Sequence, residues 1–159
     1  MAVAREGDRR VREAARYRPF RASHLRAAEA EQRVWIVFGG RADQPWLRLL
    51  HPGFRHCFAA IEDEGGWCVL DPLSGRLVVA RLDVPAGFDL PRLYARAGLV
   101  PLGPFVPGAP RPQRLPSLMP FSCVTLCRQL LGAGAPFALT PRGLFRRLGR
   151  HLQVVGKKA

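Results

Sequence analysis

Three residues of this chain are of types that together carry out nucleophilic chemistry: Cys123, His56 and Asp71. A thiolate attacks a carbonyl, an imidazole moves the proton, and a carboxylate holds the imidazole in orientation. Cys123 is the most informative because of its neighbours. In Pro120-Phe121-Ser122-Cys123-Val124-Thr125-Leu126-Cys127-Arg128-Gln129-Leu130-Leu131-Gly132, Ser122 is a favoured N-cap. Gly132 stands where a left-handed residue closes a helix. Val124, Cys127, Leu130 and Leu131 recur at helical spacing and are expected to face a core. Cys123 then takes the first helical position, where unpaired N–H groups and the positive end of the dipole favour an anion. A thiol placed there has a lowered pKa and is a better nucleophile. Cys57, Cys68 and Cys127 fall within apolar strands or on the helix face and read as packing residues.

The imidazole must come from upstream. His56 opens a strand, His56-Cys57-Phe58-Ala59-Ala60-Ile61, just after a Gly-containing break. The polar run Glu62-Asp63-Glu64-Gly65-Gly66 follows, then a second strand, Trp67-Cys68-Val69-Leu70-Asp71. A four-residue loop (62–65) pairs His56 with Asp71 and puts both side chains on one face. A loop of three or five residues puts them on opposite faces. Asp71 precedes Pro72, so its competing use is to organise a turn. His51 precedes Pro52 in a turn, and His24 and His151 lie in the charged ends. A rival constellation is a zinc site made of His51, His56, Cys123 and Cys127, although zinc sites usually use the closer Cys-x-x-Cys spacing. Gly39-Gly40 alone is a turn, not a phosphate-binding pattern.

Other elements frame these. Val34 to Phe38 reads as a buried strand ended by Gly39-Gly40, and Trp46 to Leu50 as a turn of helix. Pro72-Leu73-Ser74-Gly75 reads as a turn, and Arg76 to Arg81 as a further strand. Asp89 caps a helix from Leu90 to Ala97, and Leu99 to Val106 is a strand whose prolines suit an edge. Five prolines between Pro107 and Pro120 make that stretch an extended crossing segment. Thr140-Pro141 starts a basic helix running to about Leu152. Alternating elements of this kind predict an α+β domain with an antiparallel sheet packed against the Cys-bearing helix.

The 159 residues fit one domain, and an apolar fraction of 48% suffices for a core. The net charge of +13 is uneven: residues 1–33 carry +4, residues 34–140 carry +3 and residues 141–159 carry +6. Residues 1–33 are expected to be a poorly ordered basic extension, with a helix from Ser23 to about Gln32. Residues 34–152 form the domain, and 153–159 a basic tail. The basic ends favour nonspecific contact with polyanions, whether nucleic acid, membrane surface or acidic wall polymers. No run of 18 apolar residues is present, which argues against a membrane span. No secretory signal is visible in the first 33 residues, so the expected compartment is cytoplasmic and the four cysteines are expected to be reduced.

In the order His56, Asp71, Cys123, the chain resembles the circularly permuted NlpC-like cysteine hydrolases of the papain-like superfamily, a group that includes the lecithin retinol acyltransferase-like proteins. The resemblance is carried by Arg55-His56-Cys57-Phe58, by Trp67-Cys68-Val69-Leu70-Asp71-Pro72, and by Phe121 to Leu126 leading into Leu130-Leu131-Gly132. The Thr140-Pro141 helix is similar to one such domains carry, phage-associated ones among them. The resemblance covers about residues 34–152. It implies a papain-like fold and thioester acyl transfer with Cys123 as nucleophile, His56 as base and Asp71 orienting it. It calls for no cofactor and no metal. It implies a peptide or other acyl substrate, with cell-wall peptides of peptidoglycan foremost. The alternatives are a non-catalytic binding or assembly module of the same fold and a basic nucleic-acid-associated protein.

Overall fold

The structure, a computed structural model, describes residues 32–41, 44–85, 87–109 and 122–156. Residues 1–31, where a helix from Ser23 is expected, and most of the proline-rich crossing segment lie outside the described residues, while Arg33, expected in the extension, opens the first strand.

The element order is β1 (Arg33–Gly39), a short 3-10 turn (Pro45–Leu49), β2 (His56–Asp63), β3 (Gly66–Leu73), β4 (Arg76–Leu82), α1 (Leu90–Arg96), β5 (Val100–Phe105), α2 (Cys123–Leu131) and α3 (Pro141–Gly156). The fold is α+β. Its five strands form one sheet in the order β4-β3-β2-β1-β5, and every pairing is antiparallel. β5 takes an edge, as its prolines require.

Strand alternation divides the sheet into two faces. On one, Val34, Ile36 and Phe38 of β1 and Cys57, Ala59 and Ile61 of β2 meet Val124, Cys127 and Leu131 of α2 and Leu144 and Leu148 of α3. This is the larger core. On the other, Ala60 and Trp67 are buried against Leu90 of α1, with Tyr94, Phe88 and Val69 packed around them. The Trp67 indole donates to the Phe88 carbonyl at 2.8 Å and ties the segment before α1 to that face.

The helix ends follow the capping chemistry. Asp89 accepts from the Arg92 N–H, Ser122 from the Thr125 N–H and Thr140 from the Gly143 N–H, so each start has its side-chain acceptor. Gly132 closes α2 at φ 73°. A Cβ at Gly132 would strike the Gly108 and Ala109 carbonyls, so the position demands glycine twice over. Leu126 is buried as well, although the sequence pattern omits it, while Leu130 is only partly buried.

Three expectations are corrected. The β2–β3 loop holds two residues, Glu64 and Gly65, because pairing continues through Glu62–Trp67 and Asp63–Gly66. The acidic residues read as loop find cations across the strands: Arg33 meets Glu62 at 3.2 Å, and Arg81 meets Asp63 at 2.6 Å. Asp63 also accepts from the Gly65 N–H at 2.8 Å, and Gly66, the first residue after the loop, takes a φ of 103° that glycine adopts without strain. Secondly, β3 runs through Pro72 to Leu73, and only Ser74 and Gly75 turn the chain. Thirdly, α3 extends to Gly156, beyond Leu152. The helical turn expected at Trp46 to Leu50 spans Pro45–Leu49, with Leu50 already extended, and it buries none of its residues.

Candidate active site

Each of the three chemical residues sits at an element boundary. Cys123 is the first residue of α2, His56 the first of β2, and Asp71 lies near the C-terminal end of β3. A two-residue loop shifts the hairpin by two residues relative to a four-residue one, which preserves parity. Asp71 is therefore a diagonal neighbour of His56, not its direct partner, and both side chains share one face. His56 Nε2 and Asp71 Oδ1 are 2.6 Å apart. Their side chains are 15% and 29% exposed, dry enough for the pair to count and open enough to be reached. Phe58, two residues along β2, stacks beside the His56 ring with centroids 6.3 Å apart.

By alternation His56 belongs to the α1 face, with Phe58 and Ala60, whereas Cys57 belongs to the α2 face. Because His56 is the last residue before the sheet ends, its ring also reaches the thiol: His56 and Cys123 are in hydrogen-bond contact. With Nε2 on the carboxylate, Nδ1 is the ring nitrogen left for the sulfur.

Protonation follows from these contacts. Burial alone would lower the His56 pKa. Its hydrogen bonds to Cys123 and Asp71, and their negative charges, outweigh this and raise it from 6.5 to about 9. Cys123 moves the other way, from 9.0 to about 5. The first cause is a hydrogen bond from the Cys57 thiol; burial opposes it, and contacts with His56 and with the Cys57 main chain add to it. Between these values the site holds a thiolate beside an imidazolium.

A cavity of about 760 Å³ opens against His56 and Asp71 from the α1 side, and Cys123 is not among the residues that line it. His56, Phe58 and Asp71 form one wall, Gly39 and Gly40 a second, and Leu99 a third, with Arg41 also lining it. Gly39 is placed so that a Cβ would come within 2.8 Å of Leu99 Cδ2, so the wall is bare backbone there.

The rival zinc constellation does not assemble. His51 turns to the Pro52 carbonyl at 2.6 Å and its ring lies against Phe54. Among the described residues no group of three or more His, Cys, Asp or Glu side chains is arranged to hold a metal ion. The four cysteines are free thiols. No helix among the described residues is long and apolar enough to cross a membrane.

Cys57 is the residue that the sequence reading misses. It reads as packing, and it is fully buried, yet its sulfur touches both Cys123 and Cys127, the latter at 3.8 Å. Its position next to His56 is the only local hint. In comparisons with protein-family models, with curated proteins and with solved structures, the chain matches nothing.

Proposed function

We propose that the chain is a cysteine hydrolase that works by acyl transfer through a thioester, with a papain-like domain in the permuted NlpC-like arrangement. The observation that carries this reading is a thiol at a helix start in contact with an imidazole that a carboxylate holds at 2.6 Å. Such a pairing meets the requirements of an activated thiol nucleophile.

Cys123 Sγ attacks the substrate carbonyl carbon. The N–H groups of Cys123 and Val124, which precede the hydrogen-bond ladder of α2, receive the developing oxyanion. As the C–N bond breaks, His56 gives its Nδ1 proton to the departing amine, leaving an acyl thioester on Cys123. His56 then takes a proton from water, the resulting hydroxide attacks the thioester, and the thiolate leaves. Asp71 keeps the ring oriented and its charged form favoured throughout. The cavity beside His56 and Phe58, which Cys123 does not line, receives the part of the substrate beyond the scissile bond. Amide bonds of cell-wall-type peptides are the favoured substrates, and the basic ends of the chain, +4 and +6, would hold anionic wall material.

The test is selective alkylation. At pH 6 an ordinary thiol of pKa 9.0 is ionised to about one part in a thousand, whereas Cys123, at about 5, is mostly thiolate. Limiting iodoacetamide should label Cys123 far ahead of Cys57, Cys68 and Cys127. Cys123→Ala should abolish release of free amine from peptidoglycan peptides. Even labelling of the four thiols at pH 6 argues against the activated nucleophile. Intact phenotype in Cys123→Ser favours a binding module instead.

A further inference from the structure

The proposed chemistry uses Cys123, His56 and Asp71 and leaves two buried thiols unexplained. We propose that Cys57 is a positioning residue for the nucleophile: its main-chain N–H and its thiol, the latter steadied by Cys127, converge on the Cys123 sulfur. This rests on the reading of Cys123 as the reactive group.

The geometry follows from the fold. Alternation along β2 turns Cys57 to the α2 face, where it is fully buried against the first turns of that helix. Cys123 and Cys127, four residues apart, share one helix face, and both sulfurs reach Cys57. The Cys127 thiol donates to the Cys57 sulfur at 3.8 Å. A thiol has a single proton. With the Cys57 sulfur already accepting from Cys127, its own proton is free to point to Cys123, with which it is in hydrogen-bond contact. The Cys57 N–H donates to the same sulfur. One residue thus supplies two donors, and donors aimed at the charged form of an acid hold it ionised.

Cys57 is suited to the role because it stays protonated. Its contacts with Cys123 and Cys127, together with burial, push its pKa well above the ordinary thiol range. A buried apolar residue of similar size would fill the space and donate nothing through its side chain.

The experiment compares the full-length wild type with Cys57→Ala and Cys57→Ser. The rate of iodoacetamide reaction at Cys123 is followed against pH by peptide mass spectrometry, with circular dichroism to verify folding. The wild-type rate should rise with a midpoint near 5, the value its contacts set. In Cys57→Ala the midpoint should move up by roughly one pH unit or more, the size expected when a donor to the charged form is lost. Cys57→Ser retains a hydroxyl donor in the same place and should recover most of that displacement. Should Cys57→Ala fail to fold, Cys57→Val, which fills the space and donates nothing through its side chain, takes its place, and its midpoint should lie above that of Cys57→Ser. A low wild-type midpoint that Cys57→Ala leaves unmoved overturns the role of Cys57 and leaves the nucleophile standing. Equal displacement in Ala and Ser also overturns it, since packing then explains the effect. A wild-type midpoint near 9 removes the nucleophile itself.

Discussion

Replacing Asp71 by asparagine keeps an oxygen near His56 Nε2 and removes its charge. The His56 pKa stands at about 9 against an ordinary 6.5, and at about 1.4 kcal/mol per pH unit this rise is worth on the order of 3 kcal/mol. It is the net of burial, which lowers the value, and of contacts with Cys123 and Asp71, which raise it. A charge-assisted hydrogen bond of 2.6 Å between side chains only 15% and 29% exposed accounts for roughly 1.5–3 kcal/mol. Asp71→Asn should therefore bring His56 down by about one to two pH units. The assay is an NMR titration of the isotope-labelled imidazoles of the full chain, with His56→Gln identifying the resonance. Stability gives a second readout with a definite sign. A histidine whose folded pKa is raised contributes fully below its unfolded value and loses that contribution as pH rises through its folded value. The wild type should thus exceed Asp71→Asn by about 1.5–3 kcal/mol at pH 6, and this difference should fade by pH 10. A His56 that still titrates near 9 in the variant, or a stability gap equal at pH 6 and pH 10, would mean that Asp71 does not hold the ring in its charged form.

Other consequences can be tested by denaturant unfolding. Ser122→Ala removes the acceptor of the Thr125 N–H at 3.2 Å and should cost about 1 kcal/mol, with Ser122→Asp restoring most of it. Gly132→Ala places a Cβ against the Gly108 carbonyl at a φ of 73° and should cost roughly 1–3 kcal/mol; a change within 0.3 kcal/mol or so would remove the strain argument. Leu144→Ala opens a cavity at a residue with 0% exposure and should destabilise by about 2–5 kcal/mol, shown by a lower denaturation midpoint at unchanged m-value.

Much of the fold was legible because its signals are local. A cap needs only a side-chain oxygen three residues before the N–H it accepts, and Ser122, Asp89 and Thr140 announce their helices in that way. The strand at Val34 to Phe38 declares itself through unbroken apolar residues, and the sheet buries it on both faces. The β2–β3 loop was misjudged because Glu62 and Asp63 read as loop residues until their partners Arg33 and Arg81, far along the chain, are seen beside them. Pro72 reads as a breaker in sequence, yet the strand runs through it. β2–β3 pairing stops at Ala59 and Leu70, so beyond that point β3 is paired on one side only and tolerates a residue with no N–H.

The same divide runs through the site. Cys123 was readable from its cap, while the association of His56 with Asp71 depended on loop parity, which the residues left open. Cys57 was out of reach: its relation to Cys123 spans 66 positions in the chain, and nothing in a buried-looking strand cysteine announces the sulfur it will face.

The central proposal is that Cys123 accepts an acyl group, and trapping that group is its most direct test. The full-length protein would be exposed to an activated aryl ester of a short N-acetylated peptide at pH 6, quenched in acid, and mapped by mass spectrometry. A single hydroxylamine-labile acyl adduct is expected on Cys123, absent from Cys123→Ala and slow to form in His56→Gln. No adduct, or acylation spread evenly over Cys57, Cys68, Cys123 and Cys127, would contradict it.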